Sequence, residues 1–201
     1  MARSITGFLA ELVGQGARPN LFQISMVFPP VLSLGVGAIP GSAGVLMPFM
    51  AQATSIPPDK LGEIPVGYMG RKVYFPGDRE FDPWTITIYN DETFNIHAAF
   101  ELWMSALNAH QANVRDITAA LFPQYTTNAL IQQYPKVDLP SIMTYQMTSF
   151  FPTEVGAIEL DWETNNTIEK FQVTLRYQWW DAISSTNGPT TDGGGTISLN
   201  P

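Results

Sequence analysis

His97 and Glu101, in the stretch "FNIHAAFELW", are the residues best spaced for chemistry. Side chains at i and i+4 share a helix face, and an imidazole beside a carboxylate can hold zinc. A third ligand is missing. His110, the other histidine, falls on the same predicted helix but on roughly the opposite side at about 3.6 residues per turn, so the two imidazoles share neither a metal nor a proton. Gly41-Ser42-Ala43-Gly44 lacks the spacing of a nucleophile elbow. "GVGAIP" begins like a dinucleotide fingerprint, yet Pro40 stands where the third glycine is required. Asp161, Glu163 and Asn165 imitate the first ligands of a calcium loop, but Asn166 replaces its glycine and Gln172 its closing acid. Asp78 and Glu80 could work as an acid/base pair only inside a pocket, and none is predicted. The chain has no cysteine, which removes disulfides and thiolate chemistry. No catalytic, cofactor-binding or metal-ligating set is therefore expected, which leaves recognition or assembly.

The elements around these residues are easier to read. In "WTITIY" Trp84, Ile86 and Ile88 point one way and Thr85, Thr87 and Tyr89 the other, the period of a strand with one buried face. Asn90 or Asp91 then caps a helix running to about His110, with Ile96, Phe100, Trp103 and Leu107 as its apolar stripe. Ile5, Phe8, Leu9, Leu12 and Val13 mark a short N-terminal amphipathic helix, stopped by Gly14 and Gly16; Glu11 interrupts any signal-peptide run, so a cytoplasmic chain is expected. Leu21–Phe28 and Val45–Ser55 read as strands joined by a loose apolar loop. "SIMTYQMTSFF" sets Met143, Tyr145 and Met147 opposite Thr144, Gln146 and Thr148. A hairpin follows: "VGAIELDWE", a turn at Thr164, Asn165 and Asn166, and "TIEKFQVTLRYQWW", where Phe171, Val173, Leu175, Tyr177 and Trp179 share a face. Residues 111–140 have no firm assignment. The sum is mainly β, six or seven antiparallel strands with two helices in a β-sandwich or partly closed barrel, one domain over residues 1–183 and a flexible glycine-rich tail over 184–201.

Charge is scarce. Asp, Glu, Lys and Arg make up 14% of the chain, against about 25% in ordinary soluble domains. The net charge of −8 argues against holding nucleic acid, which needs clustered cations to displace counterions. No charge occurs between Pro19 and Pro58, and prolines and glycines break that stretch into pieces too short to span a membrane. Exposed apolar area of this extent is rare on monomers, so a subunit interface is expected. Candidate contacts are Phe22, Met47, Phe49 and Met50, together with Tyr68 and the aromatic C-terminal strand at Trp180. Trp179 is expected to continue the core set, and Trp180 either to meet a neighbour or the sheath or to cap the core under the tail.

Three blocks then carry a resemblance. "ARPNLFQ", "IPVGYMGRKVYFPGDREFDPWTITIYNDE" and "FFPTEVGAIELDWETNNTIEKFQVTLRYQWW", in this order, closely resemble the tail-tube protein of contractile-tailed bacteriophages of the T-even type, a family related to the inner tube of type VI secretion. The resemblance implies a β-sandwich with a flanking helix, hexameric rings, and stacking of the rings into a conduit that DNA crosses, without specific binding, inside a contractile sheath. Implied partners are further copies of the chain, the sheath, and the baseplate and tail-terminator proteins. The implied location is the virion tail, assembled in the host bacterial cytoplasm. A mildly negative wall would let DNA slide, with Glu159, Glu163 and Glu169 as candidate lumen-facing acids. The tube-to-baseplate adaptor of the same family is an alternative role, and a carbohydrate-binding β-sandwich, its exposed aromatics stacked on sugars, is an alternative of another class.

Overall fold

A computed structural model describes residues 5–12, 16–33, 43–115, 117–119, 121–136 and 140–184. In chain order the elements are α1 (Ile5–Glu11), β1 (Phe22–Met26), α2 (Ala43–Met50), β2 (Ala51–Thr54), β3 (Lys60–Tyr68), β4 (Arg71–Glu80), β5 (Trp84–Tyr89), α3 (Asn95–Leu107), α4 (Phe122–Tyr125), β6 (Thr127–Gln133), β7 (Met143–Val155), β8 (Lys170–Arg176) and β9 (Trp179–Ser184), with short 3-10 turns at Pro30–Ser33 and Ile117–Ala119. A seven-stranded antiparallel sheet runs β1-β6-β7-β8-β5-β2, with β9 also on β7, while among the described residues β3 and β4 pair only with each other. No helix among the described residues is long and apolar enough to cross a membrane. The mainly β, sandwich-like architecture with a flanking helix agrees with the expected class.

The large sheet bends along β7. Its first half pairs with β6 and β9 and its second with β8. Thr148 opposite Trp179 and Phe151 opposite Arg176 keep one continuous register, so β8 and β9 form a single antiparallel partner broken only at Tyr177 and Gln178. On β7 the matching break is Ser149, in the left-handed region at φ 53, its N–H donating to Asn128 Oδ1 at 2.9 Å. A residue out of the extended conformation reverses the in-out alternation beyond it. Buried residues on β7 accordingly switch from Met147 to Phe150, and on the partner from Tyr177 to Ala182. This corrects the expectation for Trp179 and matches the core-capping alternative for Trp180. Trp179 is turned outward, 46% exposed, whereas Trp180 packs against the core, edge-on to Tyr145.

The fold divides the core between both halves of the bent sheet and α3. Trp84, Ile86 and Ile88 are buried as the alternation predicts, and so are Ile96, Phe100 and Trp103 of the helix stripe, joined by Ala99 and Ala106. Trp103 donates its indole N–H to the Tyr125 carbonyl at 2.8 Å and stacks near Phe100, Phe28 and Phe150, burying a large apolar side chain without stranding its polar atom. Two further expectations are corrected. Val45–Met50 is helical: Ala43 and Met47, one turn apart and both buried, fit a helix face against β1 and α3, while Pro48 would leave a sheet ladder without a donor. α3 begins at Asn95, with Phe94 as an uncapped N-cap, because the Asp91 carboxylate accepts instead from Thr93 Oγ1 and Asn95 Nδ2 in the preceding turn.

Candidate functional site

Chemistry-bearing groups do not converge. His97 Nδ1 lies 3.7 Å from Glu101 Oε1, but the ring rests edge-on against Phe171 and Phe94. Among the described residues no group of three His, Asp or Glu side chains could hold a metal. Residues 34–42, with the glycine motif and Ser42, lie outside the described residues, as does the tail from 185. Asp161 belongs to a turn: its carboxylate accepts the Glu163 N–H and the Thr164 hydroxyl, both at 3.0 Å. These bonds hold its pKa below the usual carboxylate value. The turn sits in a loop, because β7 ends at Val155 and β8 starts at Lys170; the predicted hairpin is real, but residues 156–169 lie outside its ladder.

What the fold leaves open is surface. Among the described residues β1 and β9 are the two edges of one sheet half, β1-β6-β7-β9, with backbone groups free to pair. The face of this half turned from the core carries Gln23, Ser25, Gln132 and Gln146, with the exposed Trp179 and Ile183 of β9 on the same side. The Tyr134 hydroxyl bridges Gln23 and Gln132 at 3.0 and 3.1 Å. Asp181, opposite Gln146, is the one ionisable side chain that these strands place there. Ile5, Phe8 and Leu9 on α1, and Leu12 just past its end, are all exposed, so the predicted amphipathic helix forms but presents its apolar side outward.

The β3–β4 hairpin is an arm. Leu61, Ile64, Val66, Tyr68, Val73, Tyr74 and Phe75 are exposed along it. Salt bridges fix its base: Lys60 Nζ to Asp82 at 2.6 Å and Arg79 to Asp59 at 2.8 Å. At the tip Met69 and Gly70 both have positive φ, 47 and 81, the backbone of a two-residue type I′ turn. Methionine in this region is strained by about 1–2 kcal/mol, and here it is 87% exposed.

The sequence-predicted contact residues scatter over these features. Phe49 and Tyr68 are exposed, Phe22, Met50 and Trp180 half-buried against the core, and Met47 wholly buried, with no surface to offer a neighbour. The Trp180 indole N–H is buried without an acceptor. Glu159 and Glu163 are exposed on the 156–169 loop; Glu169 accepts Asn90 Nδ2 at 2.6 Å beside the start of α3. None of the three is on the outward face of the β1-β6-β7-β9 half. The features that sequence reasoning missed are β6 and the free edges, which only the strand order reveals.

The profile of a family described as "Phage tail tube protein" matches residues 17–183. The tail tube protein gp19 of Enterobacteria phage T4 is 34% identical over 168 residues, covering 84% of this chain and 93% of the relative. A tail tube protein of Serratia phage KSP90 is 27% identical over 128 residues, 64% of this chain and 70% of that one. Among solved structures, a chain in the anti-feeding prophage baseplate shares the fold with a TM-score of 0.58 at 15% identity, covering 84% of this chain and 95% of that chain.

Proposed function

Because the chain belongs to the phage tail tube protein family, we propose that it is the repeating subunit of a phage tail tube, closing into hexameric rings that stack into a DNA conduit inside a contractile sheath. The observation that carries the reading is the pair of free edges on one sheet half. In the order β1-β6-β7-β9 all neighbours are antiparallel, so β1 and β9 run in opposite directions. Copies related by rotation about an axis along the strands then set β9 of one beside β1 of the next, and the alternation continues through every seam. An odd number of strands would place parallel neighbours there. The edges match in length, five residues against six, and closure removes both of them.

The core side of this half is occupied by α3 and the other half, so the opposite face becomes the wall. Its amides and hydroxyls hydrogen-bond but attract no phosphate, and its charge comes from Asp181, repeated once per subunit. A neutral to weakly negative wall lets a polyanion slide. Stacking is head-to-tail and joins two different surfaces; the exposed arm and the apolar side of α1 are suited to it. Coverage of 93% of the T4 protein supports the repeating tube subunit over the adaptor. The role is structural, with the sheath, baseplate and terminator as further partners, assembly in the host cytoplasm, and no cofactor. Electron microscopy of the full chain at high concentration tests this: rings or tubes of uniform width are expected, and a monodisperse monomer at every concentration overturns it.

A further inference from the structure

The two ends of the second sheet half carry complementary surfaces. β5 and β8 pair from Trp84 opposite Leu175 to Tyr89 opposite Lys170. The arm leaves from the first end: Thr54, at the close of β2, accepts the Trp84 indole N–H at 2.7 Å, and Phe81, just past β4, meets Tyr177 edge-on. The 156–169 loop occupies the other end, where the Asn90 N–H donates to the Glu169 carbonyl at 3.0 Å. On this loop Trp162 is wholly exposed, with Leu160 and Ile168 also in solvent. The Asp161 hydrogen bonds preset the turn that presents Trp162, so little ordering entropy remains to be lost on contact. Glu159 and Glu163 flank it, and the nearby cation Lys170 is drawn over the Tyr89 ring.

The arm tip has the opposite character. Arg71 lies opposite Tyr68 and Lys72 opposite Gly67, beside the exposed Met69. Neither cation has a carboxylate partner among the described residues, whereas Lys60 and Arg79 at the base both do. The arm's own acids, Glu63, Asp78 and Glu80, lie toward that base. We infer that the arm tip, Tyr68 to Lys72, docks on the Leu160–Trp162 turn of a second copy stacked along the tube axis, with Arg71 and Lys72 facing Glu159 and Glu163 and the strained Met69 packed on Trp162. The inference rests on the stacked-ring reading. Its grounds are that the cationic apolar tip and the acidic apolar turn belong to one chain and attach at opposite ends of the β5–β8 strand pair, two different complementary surfaces of the kind head-to-tail stacking joins.

The absence of cysteine makes the test direct. Met69→Cys combined with Leu160→Cys in the full chain should give, on mild oxidation, a ladder of reducible covalent oligomers. Each single variant should stay monomeric on the denaturing gel. As a second test, Arg71→Glu/Lys72→Glu and, separately, Glu159→Lys/Glu163→Lys should each raise the concentration needed for tube growth by about tenfold, and the two together should restore it. A Met69→Cys dimer without Leu160→Cys, no ladder in the double variant, or normal growth of either charge variant overturns the docking. Electron microscopy of the same samples separates the failures: rings without a ladder leave the ring reading standing, and no rings remove both. Normal tubes of Glu159→Lys/Glu163→Lys that fail to recruit sheath would reassign the turn to the sheath and refute this proposal.

Discussion

Proline in β9 offers a sharp test of the seam. Successive backbone N–H groups of an edge strand point alternately toward its partner and away from it, so of Asp181 and Ala182, opposite Gln146 and Tyr145 on β7, one directs its N–H outward. A ladder between β1, five residues long, and β9 of a neighbour makes about five backbone hydrogen bonds, each contributing about 1 kcal/mol net. Proline at the outward position removes one donor and leaves an opposing carbonyl unpaired, weakening each seam by about 2–4 kcal/mol. That corresponds to a roughly 30- to 1,000-fold loss in pairwise association, repeated at every seam. Proline at the inward position instead breaks a bond within the subunit and leaves a β7 carbonyl unpaired, lowering its stability by about 2–4 kcal/mol. Sedimentation velocity reads ring formation, and urea denaturation followed by circular dichroism reads the fold. One variant of the pair should fold normally without forming rings while the other unfolds early. If both form rings at the wild-type concentration, the β1–β9 seam is wrong.

Other expectations follow from single contacts. Asp181→Lys replaces a carboxylate on the wall by a cation in every copy, and tails carrying it should assemble normally yet eject DNA more slowly, most visibly at low salt; salt-independent wild-type ejection would place Asp181 elsewhere. Trp103→Ala should cost the subunit about 3–5 kcal/mol in urea denaturation, since it empties the centre of the aromatic cluster and strands the Tyr125 carbonyl. Met69→Gly relieves the left-handed strain by about 1 kcal/mol and should slow hydrogen exchange at the arm tip while shortening tubes; longer tubes would contradict a contact there. Asp161, its pKa lowered in the fold, stabilises its turn fully above the ordinary carboxylate pKa and loses that contribution only as pH falls through the lowered value. A carbon-detected NMR titration should find the Asp161 midpoint below the ordinary aspartate value, and a midpoint at that ordinary value contradicts the turn.

Legibility in the sequence followed periodicity. β5 and the α3 stripe were readable because Trp84, Ile86 and Ile88, or Ile96, Phe100 and Trp103, repeat at one fixed period and all face the same core. β6 was not, although it is a central strand: only Ala129 and Ile131 are buried, and Leu130 on its other face blurs the alternation. α2 reads as a strand because its helical signal amounts to Ala43 and Met47, with Pro48 between them and the next strand. The arm shows a different limit. Ile64, Val66 and Tyr68 alternate along β3, but β4 runs Val73, Tyr74 and Phe75 together, and both faces are exposed, so no local pattern marks one face for burial.

The two tryptophans that close the last strand show why strict alternation fails where an assembly is built. A long hairpin shared between two sheet halves must bend, and the bend resets the alternation at Ser149 and again at Tyr177–Gln178. Without that reset Trp180 and Ala182 would face away from the core and Trp179 and Asp181 into it, burying a carboxylate without a partner. With it, β9 holds an apolar inner side and still keeps a free edge next to Asp181. Straightening the bend, for example by Ser149→Val, whose β-branched side chain disfavours positive φ, should therefore unfold β9 before the rest of the domain, and hydrogen exchange should show residues 179–184 losing protection while β5 and β8 keep theirs.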